Sequence, residues 1–327
     1  MNYILISETN DPYFNIATEE YLLKNFSDNF LFIYRNETSV IVGKHQNVFA
    51  EVNLMDVWKQ NIPIVRRITG GGTVYHDLSN VNFSFVETGE KGKLIDFKKY
   101  LTPVVGFLKT IGIDAVIGEK NELKVGGAKV SGNAEHVYRN RLVHHGTLLF
   151  DANLNKLRSI LNPSSANYVD FSVKSNRSKV ANIKPLLKER MTIEDFIAEF
   201  VSFYKDAFDY STSFKLQLGD RKTIQKLKSS KYLTWEWNFG YSPDFTIEKE
   251  VVVSNGVLNF KADVKKGVMT AVNIRANSEE MSEISRILQD NLEETTFMPD
   301  SISYQLNEVS KGLPENFTDD FIKELFG

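Results

Sequence analysis

Apolar positions change their spacing along this chain, and each change marks an element. Met1-Asn2-Tyr3-Ile4-Leu5-Ile6-Ser7 is a short apolar run that reads as a first strand. Asp11-Pro12 then supplies an N-cap and a proline suited to a helix start. Phe14, Ala17, Tyr21 and Leu22 follow at helical spacing. Leu31-Phe32-Ile33-Tyr34 and Ser39-Val40-Ile41-Val42-Gly43 read as two strands around an Asn36-Glu37 turn. A short helix over Met55 to Lys59 and the run Ile62-Pro63-Ile64-Val65 come next. Phe97 to Ile111 reads as a helix with Leu101, Val104, Val105 and Leu108 on one face. Ala115-Val116-Ile117 and Leu123-Lys124-Val125 read as strands, and Leu154 to Leu161 as a helix ended by Asn162-Pro163. Thr192 caps a strong helix through Phe208, with Glu194 and Asp195 in its first turn.

The pattern shifts near residue 245. Phe245 to Glu250, Val251-Val252-Val253, Val257 to Val264 and Met269 to Ile274 form a β-meander with turns at Asn255-Gly256 and Lys266-Gly267. Helices are expected at Glu280 to Leu288 and Phe317 to Phe326. The expectation is a large domain over residues 1–245 and a small C-terminal α+β domain over 246–327. Trp235-Glu236-Trp237-Asn238-Phe239-Gly240 reads as packing where the large domain closes.

Two glycine-rich segments interrupt these elements. One is Arg66-Arg67-Ile68-Thr69-Gly70-Gly71-Gly72-Thr73-Val74-Tyr75-His76-Asp77. The other is Lys124-Val125-Gly126-Gly127-Ala128-Lys129-Val130-Ser131-Gly132-Asn133-Ala134. Each joins backbone that lets a ligand approach closely to a fixed positive charge, as binding a phosphate or carboxylate requires. β-like runs follow them, Val81 to Val86 and Gly146 to Phe150, so both read as loops at strand ends. Neither matches a Walker loop or a dinucleotide fingerprint. Plain tight turns are the competing reading, weakened by Arg67, His76, Lys129, His144 and His145 gathering around both.

Composition narrows the function. The 327 residues are 42% hydrophobic and 25% charged, an ordinary globular balance. A net charge of -3 argues against a nucleic-acid footprint. No run is long enough to span a bilayer, and the N-terminus lacks the basic flank of a signal peptide, so a cytoplasmic location is expected. The chain has no cysteine, which excludes disulfides, thiolate zinc sites and a cysteine acyl-enzyme.

With both segments in view the chain resembles the two-domain bacterial form of the lipoate–protein ligase A family. The resemblance rests on Asp11-Pro12-Tyr13-Phe14-Asn15, the Arg66 to Asp77 segment, and Lys129-Val130-Ser131-Gly132-x-Ala134. It continues through His144-His145-Gly146-Thr147-Leu148, Ser178-Lys179-Val180-x-Asn182-Ile183 and Trp235 to Gly240, and it covers essentially the whole chain. Lys179 stands where the family often has arginine.

The resemblance implies an α+β fold: a large domain of mixed and antiparallel sheets flanked by helices, as in biotin and lipoate ligases, plus the small C-terminal domain. It implies activation of lipoate with ATP and Mg2+ to lipoyl-AMP, then transfer to one lysine of an apo lipoyl domain. The acceptors would be 2-oxoacid dehydrogenase E2 subunits or the glycine-cleavage H protein, with no nucleic acid or membrane partner. Lys129 would be catalytic. Arg67, Gly71, Gly72, Thr73, Val74, Tyr75, His76, Asn80, Asn121, His145, Gly146 and Thr147 would bind lipoate or the adenylate, and Glu122 would meet the metal. The segment Ser172 to Asn182 would close over the intermediate, and the basic stretch Ser172 to Lys188 would attract an acidic acceptor. Relatives that pass the acyl group through a thioester need a cysteine, which is missing here. Biotin ligases carry a different glycine-rich sequence.

Overall fold

The computed structural model describes residues 1–89, 95–208, 210, 212–279 and 281–327. Its strands, in chain order, are β1 (Asn2–Ile6), β2 (Asn29–Tyr34), β3 (Ser39–Val42), β4 (Ile64–Arg66), β5 (Val74–His76), β6 (Asn80–Thr88), β7 (Val116–Ile117) and β8 (Leu123–Val125). They continue as β9 (Ala128–Tyr138), β10 (Arg141–Leu149), β11 (Asn167–Asp170), β12 (Thr212–Ser213), β13 (Phe245–Val253), β14 (Gly256–Lys265) and β15 (Val268–Ala276).

The chain forms two compact units, and they do not follow one cut in the sequence. The first takes residues 1–44, 64–157 and 176–234; the second takes 45–63, 158–175 and 235–327. Two earlier segments join the second unit for physical reasons. Strand β11 completes its sheet by pairing antiparallel with β13. Phe49 packs its ring against Trp235, Phe239, Phe245 and Phe297. The Trp235 to Gly240 segment therefore packs inside the second unit, where the sequence pattern placed it at the edge of the large domain.

The first unit carries a mixed sheet of order β12-β1-β2-β6-β10-β9-β8-β7 and a small sheet of order β4-β3-β5. β1 runs parallel to β2 and β12; the ladder from β2 through β6, β10 and β9 to β8 and β7 is antiparallel. The strands expected around Asn36-Glu37 do not pair with each other, because β2 joins the large sheet and β3 the small one. One face of the large sheet is apolar. Val81, Phe83, Phe85 and Leu148 pack there against Leu101, Val104 and Phe107 of the helix Phe97–Thr110 and Phe196, Phe200 and Tyr204 of the helix Ile193–Phe208. Thr192 and Asp195 cap the latter reciprocally: Thr192 Oγ1 accepts the Asp195 N–H at 3.1 Å and donates to the Asp195 carboxylate at 2.6 Å.

The opposite face is polar, because side chains alternate along a strand. Asn80, Asn82 and Ser84 of β6 lie beside Thr147 and His145 of β10. The helix α1 (Pro12–Asn25) meets this part of the unit and contacts β6, β10 and β4. Asp11 caps α1, accepting from the Tyr13 N–H at 2.9 Å and the Phe14 N–H at 3.3 Å. α1 buries polar Asn15, Thr18, Glu19 and Glu20 together with Ala17 and Leu22, so it lacks the single polar face of a surface helix.

The second unit is the sheet β11-β13-β14-β15 with the helices Ser282–Leu292, Pro299–Glu308 and Phe317–Phe326. Lys266 and Gly267 turn between β14 and β15 with φ of 50° and 78°, as a tight hairpin demands. Glu280, where the sequence pattern starts a helix, lies outside the described residues. The helix Pro299–Glu308 escaped that pattern.

Candidate active site

The first glycine segment is a true loop, joining β4 to β5. Arg67 builds it from beneath. Its Nε donates to Thr69 Oγ1 at 2.8 Å, Nη1 to the Ile41 carbonyl at 3.0 Å, and Nη2 to the Gly70 and Gly72 carbonyls at 2.6 and 2.8 Å. Three of the five guanidinium N–H groups thus hold the turn, and a fourth ties it to β3. Burial pulls the Arg67 pKa down to about 10, with Glu19 and Tyr34 opposing, so it is cationic at neutral pH. Gly71 adopts φ +88°, where a Cβ would be strained and would sit 3.1 Å from Arg67 Nη2.

A chain of polar contacts runs from this turn into the helix side. Thr69 Oγ1 meets His145 Nε2 at 2.8 Å, and His145 Nδ1 meets Glu19 at 2.9 and 3.1 Å. The wholly buried Glu19 also accepts from Tyr34 at 2.9 Å and from Ser84. Burial alone would push the Glu19 carboxyl up. The His145 charge and the hydrogen bonds from His145, Ser84 and Tyr34 outweigh it and hold the group below the ordinary carboxylate value.

His76 ends β5 and is equally committed. Its Nδ1 accepts from Asn36 Nδ2 at 3.0 Å, which leaves Nε2–H to donate to Thr147 Oγ1 at 3.1 Å. The Thr147 hydroxyl in turn donates to Asn82 Oδ1 at 3.0 Å. Burial, then the Arg67 and His145 charges, push the His76 pKa down to about 3. It is a neutral histidine that orients its neighbours. Asn80 donates to the Tyr75 carbonyl at 3.0 Å, and both residues are buried. Thr73 is buried and Val74 pairs with Ile41 of β3.

The second glycine segment departs from the loop expected. Only Gly126 and Gly127 turn, with φ of 55° and 80°; Lys129 to Ala134 lie within β9. Lys129 is pinned on both sides of its peptide. Its N–H donates to the Lys179 carbonyl at 2.8 Å, and its carbonyl accepts the Ala181 N–H at 3.0 Å. The segment Lys179 to Ala181 therefore serves as a short parallel partner of β9. The half-buried Lys129 folds over Gly132, so that a Cβ there would lie 2.9 Å from Nζ. Among the described residues no hydrogen bond or ion pair engages its ammonium. Burial lowers its pKa; Glu122 opposes this, and the Arg67 and Lys124 charges add to it.

The other expected residues separate. Asn121 takes the left-handed conformation at φ 60°, which suits asparagine, and its carbonyl accepts from Asn133 Nδ2 at 2.9 Å. Gly146 alternates with His145 and Thr147 and so faces the other side of the sheet. A Cβ on it would lie 2.1 Å from Asn133 Oδ1 and 2.4 Å from Phe83 Cζ. Its smallness serves packing. Glu122 Oε1 pairs with Lys124 at 2.6 Å and Oε2 accepts the Lys120 N–H at 2.9 Å. Burial raises its pKa, but these partners bring it below the ordinary value. Among the described residues no group of three or more His, Cys, Asp or Glu converges. One carboxylate already paired does not fit a resident metal cage.

Sequence reasoning missed Glu19, Tyr34, Asn36, Thr69, Asn82 and Ser84. Glu19 left one signal: Thr18-Glu19-Glu20 interrupts a helix otherwise flanked by Ile16, Ala17, Leu22 and Leu23.

The arrangement is a preorganised cation beside a backbone turn braced by buried charge. Residues 11–205 match the family described as lipoyl protein ligase A/B catalytic domain, and residues 242–326 match bacterial lipoate protein ligase C-terminus. The chain belongs to the lipoate–protein ligase family. It is similar to lipoate–protein ligase 1 of Staphylococcus aureus, 38% identical over 272 residues and 82% of each chain. Among solved structures it resembles a bipartite lipoate protein ligase from Thermoplasma acidophilum, described with its E2 lipoyl domain. The TM-score is 0.64 at 26% identity, over 73% of this chain and 96% of that one. A lipoate–protein ligase A bound with ATP gives 0.63 at 26% identity, over 73% of this chain and 99% of that one. The ligase is a two-part α+β enzyme, and no helix among its described residues is long and apolar enough to cross a membrane.

Proposed function

We propose that Lys129 is the catalytic cation of this lipoate–protein ligase and that the Arg67-braced turn is the nucleotide and acyl cradle. The observation that carries this is Lys129: its backbone is pinned on both sides, its side chain is half-buried, and its ammonium has no hydrogen bond or ion pair among the described residues. An unsatisfied cation there costs desolvation unless an anion arrives.

In the first half-reaction a lipoate carboxylate oxygen attacks the α-phosphorus of ATP, and the bond to the bridging oxygen breaks to release pyrophosphate. Negative charge concentrates where two anions meet, and Lys129 answers it. Gly71, Gly72, Thr73, Val74 and Tyr75 offer backbone to the nucleotide and acyl chain, with Asn80 and Asn121 at its margins. In the second half-reaction the neutral amine of an acceptor lysine attacks the acyl carbon, AMP leaves, and the amine loses a proton. Arg67, His76, His145 and Thr147 act by holding the cradle, since their polar atoms are engaged in it. Mg2+ would enter with the phosphates of ATP, leaving Glu122 at most an outer role. The acceptors would be apo lipoyl domains of 2-oxoacid dehydrogenase E2 subunits or the glycine-cleavage H protein.

The test is pyrophosphate release with ATP, Mg2+ and lipoate, alongside intact-mass analysis of apo lipoyl domains. Lys129→Ala should keep its melting temperature and lose about 10²–10³ in adenylation rate. Near-unchanged pyrophosphate release by this variant would refute the assignment.

A further inference from the structure

A second cationic pole, which the adenylation chemistry does not use, gathers beside strand β9. His136, on the same face as Ala134, stands among Lys24, Lys44 and Lys231, with Glu20 as the acidic group acting on it. Lys24 and Lys231 share that carboxylate at 2.5 and 2.6 Å. Among the described residues no hydrogen bond or ion pair engages the Lys44 ammonium. At the tip of the β9–β10 hairpin, Lys24 Nζ and the Arg139 guanidinium each lie 5.2 Å from the centroid of the Tyr138 ring. Three lysines thus gather about His136 and one carboxylate, with Arg139 beside Lys24 on the Tyr138 ring, on a chain whose net charge is -3. The surplus is local.

Its position matters. Ala134 touches the turn, since a Cβ on Gly71 would lie 3.7 Å from the Ala134 Cβ. The Lys44 N–H donates to the Thr69 carbonyl at 2.8 Å. From Gly132, where the Lys129 ammonium rests, seven residues of strand lead to Arg139, roughly 23 Å. A phosphate held by Lys129 does not reach that far. The cations are spread over α1, the hairpin and Lys231, with the Lys24 side chain 40% exposed and Arg139 exposed, so they fit a surface more than a small ion.

The basic stretch Ser172 to Lys188, expected to attract the acceptor, is less available than its composition suggests. Lys174 pairs with Asp170 at 2.7 Å and Lys184 with Asp151 at 2.6 Å. The Lys188 methylenes lie along Gly112.

We propose that the cationic corner formed by Lys24, Lys44, Lys231 and Arg139 docks an acidic face of the acceptor protein, beside the lysine to be modified. This rests on the ligase reading above. Opposite charge across such a contact steers association and fixes register more than it adds to the chemical step.

The test is the double variant Lys44→Glu/Arg139→Glu with a purified apo lipoyl domain. Pyrophosphate release reports adenylation, and intact mass reports transfer, each from 25 to 300 mM salt. Adenylation should stay within about twofold of the unsubstituted enzyme, which also shows that the variant folds. KM for the domain should rise about tenfold at low salt, with the gap closing as salt screens the contact over roughly 10 Å at 0.1 M. Lys44→Gln/Arg139→Gln should fall between the two. An unchanged KM overturns the proposal, and so does a parallel fall in both half-reactions, which would assign the corner to the nucleotide. Absence of adenylation by the unsubstituted enzyme would instead defeat the ligase reading.

Discussion

Gly132 separates the position of the proposed catalytic cation, Lys129, from its presence. Gly132→Ala leaves Lys129 in place but adds a methyl group 2.9 Å from its Nζ and 3.0 Å from its Cε. Ordinary contact begins near 3.5 Å, so the ammonium must retreat by about 0.6 Å. The end of a lysine side chain yields at little cost, and Gly132 sits in a strand where alanine is tolerated. Stability should therefore hold or rise slightly. Catalysis should not, because a misplacement of 1 Å costs about 10²-fold. A displacement of this size predicts a fall in adenylation of roughly tenfold or more.

The measurement is single-turnover lipoyl-AMP formation at saturating ATP and lipoate, beside a thermal melt. Gly146→Ala is the contrast, because its methyl group would meet Asn133 Oδ1 and Phe83 Cζ in the packed face. Overpacking there costs about 1–3 kcal/mol, so its melting temperature should drop before its rate constant does. Adenylation at the unsubstituted rate by Gly132→Ala would mean that the ammonium position is not decisive, and the role given to Lys129 would fail with it.

Two further outcomes follow from the buried network. The His76 pKa lies at about 3, below its ordinary 6.5, so the unfolded chain binds a proton that the folded one refuses. Its contribution is present above pH 6.5 and is lost at up to about 1.4 kcal/mol per pH unit as pH falls toward the folded value. His76→Gln should flatten the acid limb of a urea-melt series between pH 6.5 and 4, and an unchanged limb would contradict a buried neutral His76. Glu19 is depressed below 4.5, so its stabilisation is complete above that pH and fades as pH drops through the lower folded value. Glu19→Gln should cost about 1–3 kcal/mol at pH 7, with a difference from the parent that narrows in acid; equal stability at pH 7 would show that the Glu19–His145 link carries nothing.

The sequence made the fold class, most strands and the glycine turns legible because each rests on local chemistry. Asp11-Pro12, Thr192 and Lys266-Gly267 cap or turn the chain by themselves. Long-range pairing was not legible. Nothing local in Asn167 to Asp170 says that it completes a sheet with β13, and nothing in Phe49 says that it packs with Trp235. The same limit applied to the site. Lys129 announced itself between glycines, but its two backbone partners lie at Lys179 and Ala181, fifty residues on. Reading Lys129 to Ala134 as a loop gave glycine the weight of a turn signal, whereas Gly132 sits in a strand beneath a lysine.

Strand alternation explains why neighbouring residues of one motif divide their work. In His144-His145-Gly146-Thr147, His145 and Thr147 look to the polar face and reach Thr69, Glu19 and His76. His144 and Gly146 look to the apolar face, where His144 pairs with Glu135 at 2.8 Å and stacks on Tyr100. The motif is therefore part scaffold and part site, and a ligand role spread evenly over it assigns too much to Gly146. The buried charges show the same economy. Glu19 and Arg67 are both inside, yet they do not touch; Thr69 and His145 stand between them. Each charge is satisfied by neutral donors or acceptors as well as by the other's field, which makes burial tolerable where a lone carboxylate would be expelled. A turn braced this way cannot relax toward the incoming nucleotide. In the proposed reading, the group beside that turn left to respond to the growing negative charge is the Lys129 ammonium, which no hydrogen bond or ion pair engages among the described residues.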